Sequence, residues 1–524
     1  MTLVAHRKFG NHVPDILDCL AQLSNDEVPT PPKVAREMLN LLPAEVWSNP
    51  DYKWLDPFSK SGVYLREIAA RLLDGLATWE PDFDKRRDHI FRNMLYGCAI
   101  TTMTGMIARR SLYCARDASS DLSVVRFDNP DGNLPFVPAE HDFVRGRCSS
   151  CGAPESLQRP DRENHAYAFI HGAYPTEDIR NMKWDCIIGN PPFQVGDGGG
   201  GGGASATPLY NLFVERAIEL NQRHLVMITP SRWFSGGKGL DEFRSRMLND
   251  KRFVSLVDHP QLYDCFPGVK IRGGVSYWHW DREHHGPCRV TTKIGDQVVG
   301  KPAVRDLGAY DVLVRRNEAV SILDKVAAYR VDGNPESSLG DQVSARKPFG
   351  LTNERGKDKA AGLKDPVLIY GNQIQTFMER SAVPSNRDWI DEWKVLLVKA
   401  HGTSGRDDVT ILGEPVVAAP GSACTETYLV IGRTSDEDRA RNLAAYMRTR
   451  FVRFLVSLRK ITQNITRDSY RFVPLLPMDR VWTDEELFAR YGLSEEDVAF
   501  IEAHIKERPS DEDVPTLDEG DDDE

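Results

Sequence analysis

No apolar run in these 524 residues approaches the length of a membrane span, and residues 1–8 hold no signal-peptide core. A membrane channel or a secreted scaffold is therefore not expected, and the chain reads as a cytoplasmic protein without a membrane partner. Cysteine is sparse and odd in number, nine in all, and Cys98, Cys186 and Cys265 sit in strand-like segments. That excludes a disulfide framework and fits a reducing compartment. The pair Cys148 and Cys151 has no second C-x-x-C to match it, so a four-cysteine zinc ribbon is excluded. Net positive charge is lacking as well, the formal total being −11. A polyanionic partner is not thereby ruled out, because residues 511–524 hold nine acids and no base. Most of the excess sits in that tail, which reads as disordered and solubilising.

What the chain does have begins near its middle. Trp184-Asp185-Cys186-Ile187-Ile188-Gly189 is an apolar strand pattern that runs into Asn190-Pro191-Pro192-Phe193. The proline pair stops the strand and fixes the backbone. Such a turn presents a side-chain amide, a carbonyl without a sheet partner and an aromatic face to one planar ligand. An exocyclic amino group on a nucleobase is a poor nucleophile, because its lone pair is delocalised into the ring. Accepting its hydrogens on the Asn190 side-chain oxygen and the Pro191 carbonyl would draw the nitrogen toward a tetrahedral, nucleophilic shape. Phe193 would stack on the base. The plainer reading is a Pro-rich turn between strand and loop.

Upstream, Trp54-Leu55-Asp56-Pro57-Phe58-Ser59-Lys60-Ser61-Gly62 carries a strand end into a turn, and residues 65–73 continue with helical apolar spacing. Strand, tight turn and helix build the nucleotide pocket of a doubly wound sheet. With both motifs in this order, the chain resembles the gamma-class adenine-N6 DNA methyltransferases of bacterial restriction–modification systems. The resemblance implies an α/β fold: a Rossmann-like S-adenosylmethionine-dependent methyltransferase domain followed by an α+β target-recognition domain. It assigns catalysis to Asn190, Pro191, Pro192 and Phe193, with Phe266 on the opposite face of the flipped base. Cofactor contacts fall to Asp56, Pro57, Phe58, Ser59 and Gly62, and to Thr30 and Pro31 in a Thr-Pro turn that caps a closing helix. Lys60 stands where the family has its first turn glycine, a place where positive φ would strain a lysine. The family's ribose-binding acid has no counterpart at Ala99 or Thr101. Val124–Asn129 reads as the third strand, and Asp128 is either a contact for the cofactor adenine or an acidic turn residue before Pro130.

The Cys148/Cys151 pair lies in a polar insertion at residues 140–172, with His141 before it and His165 and His171 after it. His141, Cys148, Cys151 and His165 make a ligand set for one structural zinc; two unliganded thiols are the alternative. The glycine run at residues 198–203 reads as a flap beside the target base or as a linker. Between Arg439 and Arg471 stand nine bases against one acid, Asp468. Residues 444–455 have amphipathic helix spacing, and Arg448, Arg450, Arg453, Arg459 and Lys460 are expected to lie on the phosphates of double-stranded DNA. The expected division is residues 1–295 for methyl transfer, 296–480 for target recognition, helices at 481–510 and the acidic tail. No nuclease signature is present, so any cleavage would come from a separate restriction or helicase subunit. Two other classes stay open: an RNA or protein methyltransferase using the same turn, and an inactive DNA-binding subunit.

Overall fold

The computed structural model describes residues 28–155, 167–172, 182–194, 207–237, 239–353, 356–400, 411–460 and 464–508. The chain divides into two compact units, Met1–Leu313 and Val314–Glu524.

The first unit is built on one eight-stranded sheet. Its strands are β1 (Trp54–Ser59), β2 (Leu95–Ala99), β5 (Cys186–Gly189), β6 (His224–Pro230), β7 (Phe253–His259), β8 (Val275–Asp281), β9 (Cys288–Ile294) and β10 (Gln297–Arg305). A separate small hairpin pairs β3 (Phe143–Val144) with β4 (Arg147–Cys148). The order across the large sheet is β10-β9-β7-β8-β6-β5-β1-β2. The block from β2 to β6 is parallel, and β8 then inserts antiparallel between β6 and β7. Strands β1, β5 and β6 are buried along their whole length. Near-continuous apolar runs are what a parallel sheet covered on both faces demands. This is the α/β architecture the motifs implied.

Helices α1 (Pro32–Leu39), α2 (Val63–Gly75), α3 (Phe83–His89), α4 (Thr102–Tyr113), α5 (Ala168–His171), α6 (Tyr210–Glu219) and α7 (Asp241–Asn249) complete the unit. Proline stands at the start of α1, where its missing N–H is no loss. Several polar ties hold α1 down, among them the following. Tyr277 donates to Glu37 at 2.6 Å, Lys293 pairs with Glu37 at 2.8 Å, and Arg71 donates to the Asn40 side chain at 2.7 Å.

Two expectations need correction. Val124–Asn129 is not a strand: the Val124 amide donates to Tyr113 O and the Phe127 amide to Ala118 O, so this backbone is tied to the end of α4. The place beside β2 is taken by residues 133–136, with Gly97 N donating to Asn133 O at 2.9 Å and Ala99 N to Pro135 O at 3.0 Å. The unit boundary also lies further on than residue 295. The β9–β10 hairpin extends the large sheet, because β9 pairs parallel with β7. Periodicity cannot assign a hairpin to one of two neighbouring units.

The second unit holds two three-stranded sheets. One orders Gln375–Glu379, Pro366–Tyr370 and Ser422–Cys424; the other orders Val416–Ala418, Trp393–Val398 and Tyr428–Thr434. Helices α8 (Asn317–Ala328), α9 (Glu437–Arg448), α10 (Arg450–Ser457), α11 (Asp484–Arg490) and α12 (Glu495–His504) accompany them. Among the described residues, no helix is long and apolar enough to cross a membrane. The acidic tail and the glycine run lie outside the described residues.

Candidate active site

Strand β1 is flanked by β2 and β5, so its carboxyl end and that of β5 deliver their turns to one place. The register of β1 against β2 shifts between Asp56 and Ser59. Pro57 lies within that interval and has no N–H for the ladder. The two turns touch. A Cβ on Gly189 would fall 2.5 Å from the Phe58 ring and 3.3 Å from Asp56 Oδ1, so only glycine fits before Asn190. Gly62 has φ +70°, and a Cβ there would meet the Ala108 backbone at 3.0 Å. The left-handed conformation thus falls on Gly62 and not on Lys60, and the strain a lysine would have caused at such a position does not arise.

A small cavity of about 10 Å³ lies where the turns meet, lined by Thr30, Asp56, Phe58, Lys60, Ser61, Gly62, Val63, Tyr64 and Asn190. It brings together Thr30, Asp56, Phe58 and Gly62, assigned to the cofactor, with Asn190, assigned to catalysis. Pro31, Pro57, Ser59, Pro191 and Pro192 adjoin these residues in the chain without lining the cavity. Ser59 is fully buried, and Phe58 packs edge-on against Phe213 at 5.0 Å. Lys60, Ser61, Val63 and Tyr64 were not assigned from the sequence. Tyr64 is the second residue of α2, and its hydroxyl donates to Thr30 Oγ1 at 3.2 Å, tying the Thr-Pro segment to α2.

The carbonyl of Val28 ties two of these lining residues together. It accepts from Asn190 Nδ2 and from Lys60 Nζ, each at 3.2 Å. Asn190 is 3% exposed, and its Oδ1 is buried with no hydrogen-bond partner among the described residues. A buried amide oxygen left unpaired is costly, on the order of 1–3 kcal/mol, and its retention points to a ligand that donates there. Burial pushes the Asp56 carboxyl up to about 7, against the pull of the Phe58 amide, Ser59 and Lys60.

That shift has a sign that can be measured. The unfolded carboxyl ionises near its ordinary value of 3.8 and the folded one near 7, so between those values the folded state holds the extra proton. Stability contributed by this group therefore falls as pH rises through that window, and the penalty is complete above it. Asp56→Asn is expected to leave stability almost unchanged near pH 4 and to raise it at pH 8, by a few kcal/mol at most. Urea unfolding of both proteins at the two pH values checks this. Equal stabilities at pH 8 would mean that the carboxylate is solvated.

Phe193 and Phe266 do face one another, with ring centroids 6.0 Å apart and planes at 82°. Phe266 lies in the connection between β7 and β8 and is 2% exposed. Rings in edge-to-face contact leave no slot for a planar base between them, so this is a closed arrangement. Asp128 is exposed in the bend before Pro130 and does not line the cavity. His141, Cys148 and Cys151 do converge, and His171 fills the fourth place. His165 lies outside the described residues.

The expected phosphate-facing helix is corrected by the structure. The run breaks at Thr449 into α9 and α10, and Thr449 caps the second. Arg453 is 3% exposed, with Nε donating to the carbonyls of Arg448 and Thr449. Arg450 pairs with Glu502 at 2.8 Å and Glu507 at 2.9 Å, and Arg448 with Glu414 at 3.1 Å. Arg459 is buried against the Phe472 ring at 4.6 Å, and Lys460 donates to Ile411 O at 2.6 Å. Arg448 and Arg450 pair with acids inside the unit, Arg453 caps the end of α9, and Arg459 and Lys460 are held by a ring and a carbonyl. Composition had shown the charge but not the acids folded against it.

Comparison with known proteins gives the family of the chain. Residues 93–266, which include the Asn190–Phe193 turn and Phe266, match the family described as Eco57I restriction-modification methylase. A Mycoplasma pneumoniae protein described as an uncharacterized adenine-specific methylase is 34% identical over 337 residues, covering 59% of this chain and 78% of that protein. The chain belongs to this family of restriction–modification adenine methylases. Among solved structures, the DNA-bound Type ISP restriction-modification enzyme LlaBIII is similar at a TM-score of 0.45 and 11% identity, over 92% of this chain and 39% of that one. The protein of a DrdV–DNA complex gives the same score and identity over 98% and 61%. A type I methyltransferase subunit from Streptococcus thermophilus scores 0.32 at 13% identity over 55% and 53%. The chain thus spans less than two thirds of each of these three.

Proposed function

We propose that this chain transfers a methyl group from S-adenosylmethionine to N6 of an adenine flipped out of double-stranded DNA, within a restriction–modification or related defence system. The observation that carries this reading is the buried, unpartnered Asn190 Oδ1, set in the same cavity as the Asp56–Gly62 turn. An acceptor with nothing to accept suits an amino group that must give up its planarity in the transition state. The cavity as it stands has room for about one water, so the cofactor would enter with the Val28 segment displaced, and it would supply an electrophilic methyl group. Asp56 suits its ammonium end, and Lys60 its carboxylate, once Lys60 leaves the Val28 carbonyl. A cation beside Asp56 would also bring its raised ionisation back down.

Entry of the base requires Phe193 and Phe266 to part. Stacking on each face returns roughly 1–3 kcal/mol, which helps offset the few kcal/mol of unstacking. Gly62 preserves the turn, so an inactive subunit with a decayed cofactor site is the weaker reading.

The test is to incubate the full chain with S-adenosylmethionine and genomic DNA, or with RNA, and to digest both for nucleoside mass spectrometry. N6-methyladenine in the DNA alone is the expected result. N4-methylcytosine, or product in RNA only, would overturn the substrate assignment. Cofactor binding with no methylated nucleoside would shift the reading to a protein substrate.

A further inference from the structure

We propose that the insertion between β2 and β5 is a structural zinc site held by His141, Cys148, Cys151 and His171, and that the metal anchors the packing behind the Asp56–Gly62 turn. The ligand atoms of these residues all lie within 4.8 Å of one another. Cys148 Sγ is 3.4 Å from His171 Nε2, and Cys151 Sγ is 3.4 Å from His141 Nδ1. Tetrahedral zinc with ordinary bond lengths puts sulfur and nitrogen about 3.5 Å apart, which these two pairs already match, and the widest pair of the set has to close by about 1 Å. Single thiol–imidazole hydrogen bonds would account for each pair separately. They give no reason for both pairs to converge on one coordination sphere.

The backbone around the ligands is shaped for this. The β3–β4 hairpin turns at Gly146 (φ 74°), and Gly152 (φ 71°) follows the second cysteine. Gly152 N donates to Cys148 O at 2.9 Å and Cys148 N to Ala153 O at 2.8 Å, a tight turn that brings the two cysteines together. His171 Nδ1 donates to Tyr167 O at 2.8 Å. That contact fixes the tautomer and leaves the Nε2 lone pair toward Cys148, the outer support that metal-bound histidines usually have. Two thiolates and two imidazoles select zinc over calcium or magnesium. With all four tetrahedral positions taken by protein, no open position remains for catalysis.

The site reaches the active-site turn through aromatic packing. His171 ends α5, and Phe169 of the same helix packs edge-on against Phe58 at 5.5 Å. Phe58 belongs to the Asp56–Gly62 turn. Losing the metal should release α5 and loosen the backing of that turn. Metal binding itself does not depend on the methyl-transfer reading.

The experiment uses the full chain, purified without chelator. About one zinc per chain is expected, and cobalt in its place should give the visible bands of tetrahedral thiolate coordination. His171→Ala and Cys148→Ser should lose the metal, while His165→Ala keeps it. Hydrogen exchange should rise over residues 54–62 when a chelator removes the zinc. A folded wild type that takes up neither zinc nor cobalt overturns the site, as does loss of metal in His165→Ala with retention in His171→Ala. Unchanged exchange over 54–62 in metal-free protein overturns the anchoring. If Cys148→Ser does not fold, cobalt titration of the wild type decides the matter.

Discussion

Asn190→Ala is expected to slow methyl transfer by roughly 10²-fold or more, because one preorganised acceptor at a developing charge is worth about 3–4 kcal/mol. The effect should appear in single-turnover rate rather than in cofactor affinity. Among the described residues, Asn190 Oδ1 has no partner to lose, and its Nδ2 gives one hydrogen bond, to Val28 O. The fold should tolerate the change, since an unsatisfied buried acceptor is removed along with the amide. Calorimetric cofactor binding within about threefold of wild type, beside the rate loss, is the expected pair of results. A variant that methylates normally would take Asn190 out of the chemistry. A variant that loses the cofactor instead would make Asn190 part of the cofactor pocket.

Arg453→Glu should have its largest effect on folding rather than on DNA. Arg453 is 3% exposed, and its Nε satisfies the carbonyls of Arg448 and Thr449 at 3.0 and 3.2 Å. Burial holds its guanidinium down to about 10, with Arg508 nearby lowering it further. A glutamate there would set a carboxylate against two carbonyl oxygens it cannot bond. Leaving an uncompensated charge in such a place costs about 3–5 kcal/mol. For a unit of this size that corresponds to a fall of roughly 10 °C in melting temperature. Calorimetry on the full chain reads it, and Arg453→Met should fall less because it brings in no charge. An unchanged melting temperature, together with weaker DNA binding and a flatter salt dependence, would return this helix to the phosphates.

The contrast between these two residues marks what a sequence can carry. Asn190 was legible because its signal is local: an apolar strand, then a proline pair, with the amide at a fixed offset. The turn at Asp56–Gly62 was legible for the same reason, and chain order joined the two motifs before any contact was visible. Arg453 was misread because helical spacing records which residues share a face, not what covers that face. The strand expected at Val124–Asn129 failed similarly. Apolar alternation at Val124–Asn129 satisfied a strand pattern, yet its amides found carbonyls at the end of α4.

By itself, then, the sequence determined the α/β class, the order of the two turns, and the residue types each presents, because strand period, proline geometry and glycine freedom act within a few residues. Tertiary structure alone decided the rest. It put the left-handed residue at Gly62, brought Val28 O onto both Lys60 and Asn190, and closed Phe193 against Phe266. It also set His171 among the cysteines and folded acids around the basic helix. Each of those outcomes depends on which distant segments compete for the same carbonyl, charge or ring. Only the folded chain resolves that competition.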